Sequence, residues 1–270
     1  MASLAIELDP DDAPDHTMVV EHAAQLLDRH CRRAGIDQSH GLTHALAVLV
    51  HTDQALAAAD APLPAERAAA VRLAALLHDA DDRKYFPETA STYANAAAIM
   101  AEAGAAQPVV DDAVRMISHV SCSANGNAVP PEAVDAPELL WPRWADRLEA
   151  TGEIGVVRCY MYDAKSGRPL ATEQTPRPAT ADEAFALATE ERFAEYQRSG
   201  GGSASMMDHY YDKLLQVARP SPSAVRNAYL EEAALERATP LLDVCLAYGR
   251  TGQVPTAEIE AMGRRLGIVV

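Results

Sequence analysis

No two cysteines in this chain stand at C-x-x-C spacing: Cys31, Cys122, Cys159 and Cys245 are scattered along 270 residues. That disfavours both a zinc knuckle and a disulfide framework, so a reducing, cytoplasmic setting is expected. Basic residues are also scarce, 23 Lys and Arg against 39 Asp and Glu, for a net charge of −16. Nucleic-acid affinity comes largely from Lys and Arg neutralising phosphates, so no DNA or RNA polymer is expected as a partner. No run approaches 18 apolar residues and Met1 to Asp15 is acidic, so neither a membrane span nor a signal peptide is expected. Period-2 apolar strands, a G-x-G-x-x-G turn and internal repeats are all missing, and the expected fold class is all-α.

What is present is enough for a large core. The chain is 49% apolar, and it suits one big domain or a domain with an appendage. Residues 1–16, rich in Asp and Pro, read as a lead-in. From Thr17 the apolar positions recur at helical spacing until Gly35. A second helix follows Ser39 to His44 and runs to the Pro62-Leu63-Pro64 break; a third spans Ala65 to about Asp79. Glu88–Ala103, Pro108–Val120 and a segment around Leu139 to Leu148 are helical patterns too, as are Ala181–Arg198, Met206–Leu215 and a tail from Ser221. The Lys-, Ser-, Gly- and Pro-containing stretch from Asp163 to Thr180 reads as the longest internal loop. In it, Arg168 and Arg177 are either solvated charges or anion contacts.

The chain is organised around Leu73-Ala74-Ala75-Leu76-Leu77-His78-Asp79-Ala80-Asp81-Asp82-Arg83-Lys84, an apolar helical run that ends in an imidazole, three carboxylates and two cations. Charged groups beside a buried face are unfavourable unless paired or bound to a metal. His78 and Asp79 therefore read either as two ligands of one ion or as a capped helix end with a solvated acidic turn. His44, near the start of its helix, is either a satisfied core histidine or a further ligand. His40 is a candidate cap or supporting partner, and His51 is expected to face solvent. Asp146, embedded between Trp144 and Leu148, is either paired with a neighbour such as Arg147 or metal-bound.

Taken together, His44, His78-Asp79 and Asp146 spell H…HD…D, and here the sequence resembles the HD-domain metal-dependent phosphohydrolase superfamily. The resemblance runs from about Ser39 to Leu215. His78 to Lys84 is similar to the family's H-D-x-x-D-x-K variant, and Asp146-Arg147-Leu148-Glu149-Ala150 with Ile154-Gly155 to its D-R-L-D-A-x-G-x-x-G-I segment. Gly167 to Leu170 and Met206 to Leu215 match later blocks. The nearest subgroup is the bacterial HD-domain nucleoside-triphosphate pyrophosphohydrolases; Trp144 and Gly41 depart from its pattern. The resemblance implies an HD-domain helical bundle over residues 17–216 with an additional C-terminal helical segment over 217–270. It also implies that His44, His78, Asp79 and Asp146 bind one divalent ion.

Two imidazoles and two carboxylates leave open positions on a six-coordinate ion, which suits manganese, iron or magnesium better than a closed structural zinc site. Such an ion acidifies water and neutralises charge on a phosphoryl oxygen. Asp82, four residues after His78, is the candidate general base if the helix continues that far. Lys84 and Lys213 are candidate phosphate contacts. The expected function is hydrolysis of small nucleotides, nucleoside triphosphates first. The alternatives are a phosphohydrolase of nucleoside monophosphates or signalling nucleotides, and a non-catalytic nucleotide sensor. A homodimer is compatible with the sequence but not specified by it.

Overall fold

A computed structural model describes residues 16–36 and 41–268. The expected lead-in lies outside them except for His16, and so does His40. Among the described residues there is no strand, so the molecule is all-α as its patterning implies. The elements are α1 (His16–Ala34), α2 (Leu42–Ala57), α3 (Ala65–Leu77), α4 (Ala94–Glu102), α5 (Gln107–Ser118), α6 (Cys122–Asn125), α7 (Trp141–Glu149) and α8 (Gly152–Ser166). They continue with α9 (Ala181–Ala186), α10 (Glu190–Arg198), α11 (Met206–His209), α12 (Leu215–Ala218), α13 (Pro222–Val225), α14 (Ala228–Thr251) and α15 (Thr256–Arg265). A π-helical turn, Tyr210–Leu214, joins α11 to α12.

Helix α3 is central because most of its surface is apolar and covered: Ala69, Ala70, Val71 and the whole run Leu73 to Leu77 are buried. So broad an apolar surface must be covered on several sides; Arg72 reaches Asp53 at 2.6 Å at the surface, while α1, α2, α5 and α7 cover the helix. Its alanines allow close approach of those neighbours, while burying each Leu or Val stabilises by about 1.5–3 kcal/mol. A second core gathers α8, Ala184 of α9, the Met206–Ala218 segment, α14 and α15 around Val156, Met207, Tyr210 and Leu241.

The C-terminal residues belong to both cores. Val225, Leu230 and Ala234 complete the first, and Ala238, Leu241, Val244, Cys245 and Tyr248 line the second. Helix α14 therefore passes from the first core to the second between Ala234 and Ala238, and its interior Pro240 lies just beyond that point. Within the expected C-terminal segment, 217–270, the buried apolar residues from Val225 to Met262 pack in these two cores.

Several local expectations are corrected. Glu88 to Tyr93 is a series of turns, and α4 begins only at Ala94. The loop expected from Asp163 starts at Gly167, which ends α8 at φ 70°; only glycine adopts that left-handed conformation readily. Ala181–Arg198 is two helices, because Thr180 caps α9 through Glu183 N–H and Thr189 caps α10 through Arg192 N–H. Neither loop arginine is simply solvated. Arg168 pairs with the buried Asp163 at 3.1 Å, and Arg177 donates to the carbonyls of Gly249 and Arg250 near the end of α14. All four cysteines are free, and no described helix is long and apolar enough to cross a membrane.

Candidate metal centre

Three elements bring the H…HD…D residues together. His44 stands in the first turn of α2, His78 caps the C-terminus of α3 with Asp79 just beyond it, and Asp146 projects from α7. His44 Nε2 lies 3.3 Å from His78 Nε2, 3.2 Å from Asp146 Oδ1 and 4.0 Å from Asp79 Oδ2. His78 Nε2 lies 3.4 Å from Asp146 Oδ1 and 3.6 Å from Asp79 Oδ2. Donors bound at about 2.1 Å to one ion stand about 3.0 Å apart along an octahedral edge and about 3.4 Å apart along a tetrahedral one. His44, His78 and Asp79 offer donor atoms within 4.8 Å of one another, and Asp146 Oδ1 lies close to both imidazoles, so this donor set could hold a divalent ion.

The cluster is asymmetric. The side chains of His44 and His78 are only 7% and 2% exposed, whereas those of Asp79 and Asp146 are 27% and 26% exposed. The imidazoles form the floor and the carboxylates the open rim. His78 Nδ1 lies 2.8 Å from the carbonyl of Ala75. A carbonyl can only accept, so Nδ1 carries the hydrogen and Nε2 is turned to the cluster, the arrangement that a metal-binding histidine needs.

The electrostatics point the same way. Burial works against a charged His78, but Asp79 and Asp146 outweigh it and hold its pKa up at about 10. Burial likewise opposes ionisation of Asp146, yet hydrogen bonds from His44 and His78 hold its carboxyl well below the usual range. These are two views of one interaction: without an ion, a proton on His78 offsets the charge of the carboxylates beside it.

The turn after α3 is held from several sides. Ala80 N–H donates to Leu77 O, His30 Nε2 from α1 reaches Ala80 O at 2.9 Å, and the His30 ring stacks on Phe86. Asp81 is a cap: its Oδ1 accepts from Asn95 N–H at 3.0 Å and its Oδ2 from Ala96 N–H at 2.9 Å, at the start of α4. The α7 side is fixed by two buried arginines. Arg143 donates to His119 O and Ala128 O, while Arg147 donates to Asn127 Oδ1 and Gly126 O. Arg147 thus anchors the 126–127 loop instead of forming the Asp146 salt bridge weighed from sequence.

The remaining sequence candidates are placed as follows. Helix α3 stops at Leu77, so Asp82 is not on a continued helical face; it lies in the following turn, its N–H donating to Asp79 O. Asp82 Oδ1 accepts from Lys84 N–H at 2.8 Å, and Lys84 Nζ, on a side chain 66% exposed, lies 3.9 Å from Oδ2. Lys213 sits in the π-helical turn with its ammonium 5.8 Å from the centre of the Tyr196 ring, joined to the second core. His51, expected in solvent, is instead tucked between Tyr229 and Glu149. Asp81 and His30 were not singled out for these supporting roles. Their only sequence signals are positional, a carboxylate beside the ligand pair and a histidine near the end of the first helix.

The fold has solved counterparts. The Lin1889 protein of Listeria innocua matches with a TM-score of 0.54 and 17% identity over 87% of this chain and 96% of that one. A Lactobacillus plantarum protein matches with a TM-score of 0.56 and 18% identity over 91% of this chain and 97% of that one. At such identities the likeness shows the fold alone, an all-helical one. No family model matches the sequence. The uncharacterized protein L803 of Acanthamoeba polyphaga mimivirus is 34% identical over 221 residues, covering 77% of this chain and 88% of that protein. The chain belongs to the same family as that viral protein.

Proposed function

We propose that this protein is a metal-dependent phosphohydrolase of small nucleotides, with nucleoside triphosphates the first substrate class to test. The observation that carries the reading is the convergence of His44 Nε2, His78 Nε2, Asp79 Oδ2 and Asp146 Oδ1, with both carboxylates on the open rim. Mixed nitrogen and oxygen donors that leave positions open favour manganese, iron or magnesium. When bound, the ion would supply Lewis-acid neutralisation of phosphoryl charge and acidify water.

The chain's own groups have separate tasks. Nδ1 of His78 is anchored on Ala75 O, so the imidazole keeps its direction whether or not an ion is present. Asp82 holds its backbone contact through Oδ1, and Oδ2 is the atom proposed to take a proton from the attacking water. The exposed Lys84 is placed to meet a phosphate from solvent, and Lys213 is retained as a second phosphate contact through the resemblance of its block. A net charge of −16 favours a small substrate drawn to the ion over a polyanionic polymer.

The test is a nucleotide panel with manganese, identifying whether phosphate, pyrophosphate or triphosphate leaves, repeated with Asp82→Asn. Losing a positioned general base lowers turnover by about 10²–10⁴-fold, with metal and nucleotide binding kept. Near-normal turnover in the variant removes Asp82 from the mechanism and leaves it as a turn cap. Nucleotide binding without turnover in the parent chain would make the site a sensor.

A further inference from the structure

The seam between α2 and α7 carries a second histidine–carboxylate contact. His51 Nε2 lies 3.2 Å from Glu149 Oε1, matching the 3.2 Å between His44 Nε2 and Asp146 Oδ1. His51 is two turns beyond His44 and Glu149 about one turn beyond Asp146, so both pairs line the same seam. What completes the two layers differs. The first is completed by His78 and Asp79, the second by Arg237 and Tyr229 of α14.

Arg237 Nη2 is 3.1 Å from Glu149 Oε1 and 3.0 Å from His51 Nε2, and Nη1 donates to the carbonyl of Leu148 at 2.8 Å. A guanidinium only donates. A carboxylate only accepts, so His51 Nε2 serves either Arg237 as an acceptor or Glu149 as a donor according to its protonation, with Nδ1 2.6 Å from Tyr229 Oη in either case. One side chain thus bridges α2, the Glu149 carboxylate and a last-turn carbonyl of α7, where a cation also favours the helix dipole. Glu149 is largely buried, its side chain 13% exposed. Stripped of Arg237 it would be a poorly solvated carboxylate, a strongly unfavourable state, relieved by turning the end of α7 outward. Asp146, one turn earlier, would turn with it.

We propose that Arg237 is a positioning residue for the metal centre: it clamps α7 against α2 and so sets the separation of His44 and Asp146. This rests on the metal-centre reading. The test is Mn²⁺ titration of the whole chain, following the electron-paramagnetic-resonance signal of the free ion, with thermal melting of each variant alongside. Groups that support metal ligands typically change affinity by about 10–100-fold, and for Arg237→Gln we expect about tenfold weaker binding. Arg237→Lys keeps the charge without the fork and should recover much of that loss. Tyr229→Phe, which leaves His51 without its oxygen partner, should weaken binding by a smaller factor. Wild-type affinity in Arg237→Gln, or equal weakening in the Gln and Lys variants, overturns the inference. If the Gln variant does not fold, unchanged affinity in both Arg237→Lys and Tyr229→Phe overturns it. A wild-type chain that binds no Mn²⁺ overturns the metal-centre reading, and this inference with it.

Discussion

Of the three carboxylates that follow His78, Asp81 separates structure from chemistry most cleanly. It is buried, and its two oxygens accept the N–H groups of Asn95 and Ala96 at 3.0 and 2.9 Å. Helix α4 has no other side-chain cap: the preceding residue, Tyr93, sits at φ 54° and makes no capping bond of its own. Asp81→Ala leaves two first-turn N–H groups without an acceptor. Hydrogen bonds to a charged group contribute about 1.5–3 kcal/mol each and capping residues about 0.5–2 kcal/mol, so the pair together is worth about 2–4 kcal/mol. For a chain of this size 1 kcal/mol moves Tm by about 2–4 °C, which gives a drop of about 5–15 °C. Asp81→Asn keeps one acceptor oxygen and should lose roughly half as much. The assay is melting followed by circular dichroism, with Mn²⁺ titration of the folded variant. An unchanged Tm, or loss of metal binding in a variant that melts normally, would refute the assignment of Asp81 as a cap.

Three further outcomes are expected. In the metal-free chain the pKa of His78 is raised from 6.5 to about 10. Its contribution to stability is therefore complete below about 6.5 and is lost as the pH rises through about 10. Because an ion must displace that proton, apparent metal affinity should rise by up to about tenfold per pH unit within this window. Calorimetry in two buffers of different ionisation enthalpy should detect about one proton released per ion, and zero release contradicts it. Gly249→Ala places a Cβ 1.9 Å from Pro178 O. Displacing that loop should destabilise the fold by about 1–3 kcal/mol in a urea titration, while an unperturbed midpoint would mean the loop moves freely. Single- and double-stranded DNA should show no binding at moderate salt in a fluorescence titration, as a net charge of −16 implies.

The parts of the fold that were legible in the sequence are those set by local pattern. The uninterrupted apolar run of Leu73 to Leu77 announces a buried helix, and the charged residues that end it announce a candidate site. Read locally, His44, His78-Asp79 and Asp146 were each open between a ligand and an ordinary paired polar residue; it was the resemblance of H…HD…D to the HD-domain pattern that implied they meet. Long-range partners set what was missed. The start of α4 is fixed by Asp81, more than a dozen residues earlier, so propensity alone placed it too early. Asp82 looked like a helical-face residue only while α3 was taken to continue past Leu77. His51 read as a surface residue because the groups that bury it, Glu149, Tyr229 and Arg237, lie about 100 to 190 positions away. The role of α14 was hidden for the same reason: its apolar positions serve two cores in turn and follow no single stripe.

The central claim is that four side chains hold one ion, and metal content per folded chain tests it most directly. Wild-type protein loaded with Mn²⁺ and freed of excess should carry one ion per chain by elemental analysis, and Asp146→Ala should carry little or none while melting at a comparable temperature. Full metal content in the Asp146→Ala protein would contradict it.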